Sequence, residues 1–301
     1  MNGESFPRAE GLDLVERLSL QPSGPHRFRS RFGEANENGR TFGGQLLAQA
    51  LMAGGRTAPE ERLPAAMQFF FLQGALHDQT VEYRVTPLQE GKRFSSRNVR
   101  GVQEGGRFVC DAQVTFARAL EAPAHMDAAP TGGWAAAAPE SLPRLIDLPH
   151  ELATSVEQTL DYQFKESDVF DLRVADAANG AFSLTPKPQL RFWIKARQEL
   201  PSDPVVHAAV FAYLSDAWLN FTNCGVHVPR LKESKSHLYV ASLNHAIWFH
   251  RPLRADQWLL FDCVSPSAAA GRGFTQAQVR DAHGVLVATA TQESLMAPLA
   301  D

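Results

Sequence analysis

The chain has 301 residues, of which 44% are hydrophobic and 21% are charged. This length and composition indicate one large domain or two similar ones with a real apolar core, and they exclude a disordered chain. The formal net charge of -4 argues against a general nucleic-acid-binding protein, which needs a concentrated basic surface, so no nucleic-acid partner is expected.

The three cysteines, Cys110, Cys224 and Cys263, are far apart and odd in number. No Cys-x-x-Cys pair and no Cys/His cluster occurs, so the pattern disfavours a disulfide scaffold or a zinc ribbon and predicts reduced, buried thiols. Residues 1–25 are polar and show no secretory signal, and no apolar run approaches the ~20 residues of a membrane span. We therefore expect a soluble cytoplasmic protein without a membrane span.

The first half of the chain predicts one helix among several strands. Alternating residues 26–32 indicate a short strand, and residues 45–53, with apolar residues on one face, indicate a helix that Gly54-Gly55 ends. Glu104-Gly105-Gly106 has the composition of a hairpin turn. Four strand-like runs follow the helix: residues 66–72, 80–88, 93–103 and 107–118.

The second half follows a similar plan after an Ala- and Pro-rich stretch, residues 119–158, that is typical of a linker. Asp203 and Pro204 form a good cap for a helix predicted to run to about Phe221, and this helix is apolar nearly all round, which predicts burial. His283-Gly284 predicts a last hairpin. The strand-like runs here are residues 161–164, 169–174, 189–196, 238–249, 257–265, 273–281 and 285–295.

Weak identities support a duplication. Gly91-Lys92-Arg93-Phe94 matches Gly271-Arg272-Gly273-Phe274 at an offset of 180, since 271 minus 91 is 180. A buried helix wrapped by a long antiparallel sheet, present twice, predicts an α+β protein of the double hot-dog type. The predicted domains are an N-terminal segment (1–25), a first repeat (26–118), the linker (119–158) and a second repeat that carries the active site (159–301).

Four stretches resemble the acyl-CoA thioesterase II family of double hot-dog enzymes, in family order from about Arg40 to Met296. They are Arg40-Thr41-Phe42-Gly43-Gly44-Gln45, Tyr213-Leu214-Ser215-Asp216, Ala241-Ser242-Leu243-Asn244-His245-Ala246-Ile247-Trp248-Phe249-His250-Arg251-Pro252, and residues 271–292. The resemblance implies an acyl-CoA substrate, no cofactor and no metal. It places the family's catalytic Asp, Thr or Ser, and Gln on Asp216, Ser242 and Gln292.

These residue types suit thioester hydrolysis by water. A carboxylate such as Asp216 orients or deprotonates the water, and burial would raise its basicity. Ser242 and Gln292 each donate and accept hydrogen bonds, which suits holding a water against a carboxylate. Backbone N–H groups at a buried helix N-terminus are the expected oxyanion donors.

Five further residues are expected to support the site without reacting. Gly43 and Gly44 let another backbone approach the helix start. Asn244 replaces the Asp usual in the family, and His245 is expected nearer the site than His250. These two histidines lie five apart on a strand, which disfavours a shared metal. Trp248, with Phe249, is interpreted as core or as the lining of an acyl tunnel.

The first repeat departs further from the family pattern. Residues 65–76 lack the family's polar groups, and Val114 stands opposite Gln292 in the repeat alignment, so no second active site is expected. Its apolar run suggests a medium or long acyl chain. Homo-oligomers through sheet edges are expected by resemblance. The cations considered for the CoA phosphates are Lys92, Arg93, Lys187, Lys195 and Arg197.

Two alternatives stay open. One is a non-catalytic acyl-CoA- or lipid-binding protein that kept the fold, motivated by Asn244 and the altered first repeat. The other is a hot-dog enoyl-CoA hydratase, vaguely suggested by residues 200–207; Asp203 is better explained there as a helix cap.

Overall fold

The computed structural model describes residues 6–36, 38–128, 137–175, 177, 180, 182–183 and 186–299. The chain forms two compact units. The first combines residues 1–124, 198–215 and 246–255, and the second combines residues 125–197, 216–245 and 256–301. The helices are α1 Leu14–Arg17, α2 Gly43–Gly55, α3 His150–Leu160, α4 Pro204–Ser215, α5 Leu219–Cys224 and α6 Val228–Ser234.

The strands are long and mostly as the sequence predicts. Their bounds are β1 Leu20–Gly24, β2 Arg27–Ser30, β3 Leu63–Phe71, β4 Glu82–Glu90, β5 Phe94–Gln103, β6 Arg107–Ala117, β7 Phe170–Val174, β8 Gln189–Ala196, β9 Leu238–Phe249, β10 Leu259–Ala269, β11 Arg272–Asp281 and β12 Leu286–Pro298.

In the first unit, six strands form an antiparallel sheet in the order β1-β2-β4-β5-β6-β3. Helix α2 packs on this sheet and against α4. Leu46, Leu47, Ala50 and Leu51 of α2 are buried, as the predicted helical face requires. A Cβ on Gly44 would lie 2.5 Å from the backbone oxygen of Tyr213, so only glycine fits where α2 meets α4.

In the second unit, the antiparallel order is β12-β11-β10-β8-β7, and the first part of β9 lies beside β12. The short helix α5 packs on β10, β11 and β12, and α3 packs against α6. Because β12 and β9 are neighbours, residues from the middle of both strands face the same short helical segment.

The long predicted helix is divided, and this division matters for the site. Asp203 does cap α4, since its carboxylate accepts a 2.8 Å hydrogen bond from the backbone N–H of Val205. The prediction that the helix continues to Phe221 is wrong: α4 ends at Ser215, and Trp218, with φ -137°, precedes α5. The apolar residues after Asp216 continue the pattern of α4, so periodicity did not reveal the break.

Other differences lie outside the sheets. Residues 161–164, predicted as a strand, are irregular, and helix α3 occupies part of the predicted linker. The N-terminal segment holds α1 and β1. All three cysteines are free and buried as predicted, and burial raises the pKa of Cys110 and Cys224 to about 12. Across the described ranges, no helix is long and apolar enough to cross a membrane.

Candidate active site

Three elements of the second unit bring the predicted catalytic residues together. Asp216 directly follows α4, Ser242 lies in the middle of β9, and Gln292 lies in the middle of β12. Asp216 is 6% exposed and Gln292 is fully buried, while Ser242 is half-buried. Because the carboxylate of Asp216 is buried, hydrogen bonds from neighbouring side chains replace those from water and fix its orientation.

The three side chains form a closed triangle of hydrogen bonds. Nε2 of Gln292 donates to Oδ1 of Asp216 at 2.6 Å and to Oγ of Ser242 at 2.7 Å. The hydroxyl of Ser242 donates to the same Oδ1 of Asp216 at 3.2 Å. Two donors on one carboxylate oxygen stabilise its charged form and fix its orientation.

The amide of Gln292 has its orientation set by Asp216. Because a carboxylate only accepts, the NH₂ end of Gln292 must face it, and this turns Oε1 the other way. Oε1 is buried and accepts no hydrogen bond from any residue that the structure describes.

Asn220 also contacts this triangle, although the sequence reading did not single it out. Its Nδ2 donates to Oγ of Ser242 at 3.3 Å, and its Oδ1 accepts from the hydroxyl of Ser294 at 2.8 Å. Asn220 lies four residues after Asp216, in the stretch read as continuous helix. No sequence signal identifies it, because the helix ends before Asp216 and a new one begins at Leu219, so their four-residue spacing does not place the two side chains on one helix face.

Asn244, the departure from the family pattern, has a different set of partners. Its Nδ2 donates to Oε2 of Glu293 at 2.9 Å, and Oε1 of Glu293 pairs with Arg272 at 3.0 Å. Adjacent residues on β12 point to opposite faces, so Glu293 faces away from Gln292. An Asp at position 244 would set two carboxylates against each other, whereas the amide of Asn donates a hydrogen bond.

The two histidines of this stretch differ in environment. His245 is 1% exposed, and burial lowers its pKa to about 3, which keeps the imidazole neutral. His250 follows the end of β9 and is exposed. Within the residues described, no group of three or more His, Cys, Asp or Glu side chains has an arrangement suited to a metal ion.

The buried His245 predicts a pH-dependent stability. An unfolded chain protonates histidine with a pKa of about 6.5, whereas folded His245 titrates at about 3. Between these values the unfolded state binds the extra proton, so lowering the pH lowers the free energy of unfolding. Between about pH 7 and about pH 5 this one group removes about 2 kcal/mol.

Urea unfolding at both pH values checks this, with His245→Gln as the comparison. We expect the variant to lose less stability on acidification than the wild type. An equal loss in both proteins would contradict the assignment of this effect to His245.

The aromatic pair of β9 separates into two environments. Trp248 is 38% exposed, so the interpretation of Trp248 as a core residue is wrong, while its role as tunnel lining stays a prediction. Phe249 packs edge-on against Phe211 of α4 at 5.6 Å between ring centroids. Gly43 is the first residue of α2.

Two of the cations considered for CoA have partners in the second unit. Lys195 lies 5.0 Å over the ring of Trp258, and Arg197 pairs with Asp171. Lys92, Arg93 and Lys187 are exposed. These contacts occupy Lys195 and Arg197 with partners inside the second unit.

The first repeat has apolar side chains at the corresponding strand positions. Val114, which aligns with Gln292, pairs with Met67 across β6 and β3, and both side chains are fully buried. Neither can donate or accept a strong hydrogen bond. The absence of a second active site in the first repeat stays a prediction.

Comparisons with known families match most of the chain. Residues 139–296 match the model of the acyl-CoA thioesterase C-terminal domain, and residues 33–117 match that of the N-terminal domain. The chain is 30% identical over 287 residues to acyl-CoA thioesterase 2 of Haemophilus influenzae, covering 94% of this chain and 96% of that protein. It is also 30% identical over 298 residues to human acyl-coenzyme A thioesterase 8, covering 93% and 87%.

Solved structures agree on the fold. An acyl-CoA thioesterase II from Mycobacterium marinum is similar with a TM-score of 0.73 at 30% identity, covering 95% of this chain and 97% of that one. A hot-dog protein from Alicyclobacillus acidocaldarius has the same TM-score at 20% identity, covering 95% and 98%, and supports the fold alone. The predicted α+β double hot-dog fold is confirmed.

Proposed function

Since the chain belongs to the acyl-CoA thioesterase family, we propose that it hydrolyses acyl-CoA thioesters with a water molecule that Asp216, Ser242 and Gln292 hold and activate. The triangle of hydrogen bonds around Oδ1 of Asp216 is the observation that carries this assignment. It supplies one buried base and two neutral groups that orient it, which is what attack by water on a thioester needs.

The proposed reaction has two steps. Asp216 accepts a proton as the water oxygen bonds to the carbonyl carbon, which gives a tetrahedral intermediate. When the intermediate collapses, the C–S bond breaks and CoA leaves as a thiolate, which needs no strong acid because a thiol has a pKa of about 8.5. The proton on Asp216 then passes to the thiolate, which restores the carboxylate, and the products are a carboxylic acid and CoA.

The hydrogen bonds of Ser242 favour water over Ser242 as the nucleophile. A hydroxyl oxygen has two lone pairs, and the amides of Gln292 and Asn220 donate to both. An attack by Oγ would break at least one of these bonds. The arrangement therefore supports Ser242 as a donor that holds Asp216 rather than as a group that is acylated.

A substitution series at Ser242 tests this assignment. We expect Ser242→Thr to keep most of the turnover, because the hydroxyl remains. Ser242→Ala should lower kcat about 10- to 100-fold, the rate equivalent of a hydrogen bond to a charged group. The measurement is steady-state thiol release, with intact-protein mass spectrometry after acid quench. An acyl adduct on Ser242, or complete loss of turnover in Ser242→Ala, would contradict the water mechanism.

The two repeats then have different roles in this proposal. Residues 159–301 carry the chemistry, residues 119–158 link the repeats, and residues 26–118 form a first repeat without catalytic groups. The apolar run of β3 supports medium or long acyl chains as substrates. We further propose that the protein forms homo-oligomers through its sheet edges. We also propose a cytoplasmic location, which the three buried thiols without disulfides support.

A further inference from the structure

We propose that Asn220 is a positioning residue for the hydrolysis, which fixes the hydroxyl proton of Ser242 on Asp216. This inference rests on the proposed function of the Asp216 site. Asn220 lies outside the catalytic set of Asp216, Ser242 and Gln292. It is held by a chain of hydrogen bonds through Ser294, Asn223 and Thr275.

Two amide groups donate hydrogen bonds to the hydroxyl of Ser242. Its hydroxyl has one proton and two lone pairs. Gln292 alone would leave one lone pair open, and the hydroxyl would then have a second direction in which to turn its proton. Nδ2 of Asn220 donates to Oγ at 3.3 Å and fills that position. With both lone pairs engaged, the proton of Ser242 has Asp216 as its remaining partner at 3.2 Å.

The side-chain amide of Asn220 is itself held in one orientation. Its Oδ1 accepts the hydroxyl proton of Ser294 at 2.8 Å, so its NH₂ end must face Ser242. Ser294 in turn accepts from Nδ2 of Asn223 at 3.3 Å, and the same amide donates to Oγ1 of Thr275 at 3.1 Å. The hydroxyl proton of Ser294 therefore points to Asn220.

The side chains that hold Asn220 are buried and closely packed. Asn223, Thr275 and Ser294 are fully buried, where a hydrogen bond between polar side chains is strong and its loss is costly. Oδ1 of Asn223 accepts no hydrogen bond within the described residues, so its Nδ2 makes the contacts of this chain. A Cβ on Gly273 would lie 2.6 Å from Oδ1 of Asn223, so β11 has glycine where the amide approaches its backbone. The network is thus packed into the sheet and ends at Ser242.

The test is a double-mutant cycle on kcat with Asn220→Ala and Ser242→Ala. If Asn220 acts through the Ser242 hydroxyl, its removal lowers kcat about 5- to 20-fold in the wild type and has almost no effect once Ser242 is alanine. KM for acyl-CoA stays within about 2-fold in all four proteins, since neither residue is assigned a role in substrate binding. Independent, multiplying effects of the two substitutions would overturn the proposal.

Asn220→Asp gives a second measurement that a merely structural role would not move. Its carboxylate accepts the proton of Ser242 and competes with Asp216, and it adds a negative charge near the base. We expect a larger loss of kcat than in Asn220→Ala and an acid limb of the pH profile moved to higher pH. An unmoved limb in a folded variant would overturn the proposal.

Asn98→Ala is the matched control, because the amide of Asn98, like that of Asn220, donates to a neighbouring side chain, here Asp111 of the first unit at 2.6 Å. It should keep wild-type kcat. The proposed function fails separately, if wild-type protein releases no thiol or if Asp216 proves dispensable. The proposal for Asn220 fails when the wild type is active and either the cycle is additive or the acid limb of Asn220→Asp is unmoved.

Discussion

We expect Asp216→Asn to lower kcat for acyl-CoA hydrolysis by about two to four orders of magnitude, the usual contribution of a general base. Asn keeps the shape of the side chain and accepts at its oxygen, but it cannot take a proton from water. Gln292 and Ser242 still have an acceptor at this position, so the variant folds. The measurement is thiol release under saturating substrate, together with thermal unfolding of both proteins.

Asp78→Asn is the control, since Asp78 is an exposed carboxylate in the first unit. It should leave kcat unchanged. KM should stay close to wild type in Asp216→Asn, because the lost interaction belongs to the transition state. Near-wild-type turnover in a folded Asp216→Asn protein would remove Asp216 from the mechanism.

Gln292→Glu is expected to have the second largest effect. It places a second carboxylate where Nε2 now lies 2.6 Å from Oδ1 of Asp216. Two carboxylates at this distance share a proton, and the pair titrates with at least one raised pKa. The variant also loses the donors to Asp216 and Ser242. We expect kcat to fall by about 100-fold or more at neutral pH.

The pH profile separates charge from the loss of hydrogen bonds. In Gln292→Glu the acid limb of kcat should move to higher pH by about one pH unit or more. Gln292→Met, which is similar in size and uncharged, should lower kcat without moving that limb. If both variants show the wild-type limb, Gln292 does not face the base during catalysis.

Most of the fold was predictable because its signals are local. The strand-like run 238–249 matches the observed bounds of β9, and the apolar face of residues 45–53 predicted the helix that the structure extends to Gly43–Gly55. The break after Ser215 was not predictable from periodicity. Ala217, Trp218 and Leu219 continue the apolar pattern, and the chain leaves the helix where Asp216 and Asn220 form hydrogen bonds with Ser242.

The site was predictable to the extent that residue types signal chemistry. Asp216, Ser242 and Gln292 came from matched family positions, and the structure places them within hydrogen-bond distance. Asn220 and Ser294 gave no such signal, because an Asn or Ser beside an apolar run is usually exposed. Their role follows from tertiary contacts between α5, β9 and β12, which a single sequence does not contain. The prediction of Trp248 as core failed for a related reason: its strand position does not show whether another element covers it.

The central claim is that this protein releases CoA from acyl-CoA. The direct measurement is thiol release by the purified wild-type protein over a panel of acyl-CoAs from short to long, with acyl-CoA binding measured in parallel. We expect thiol release that saturates with acyl-CoA concentration and is fastest for medium or long acyl chains. Binding of acyl-CoA without thiol release at any chain length would contradict it and would indicate a ligand-binding protein that kept the fold.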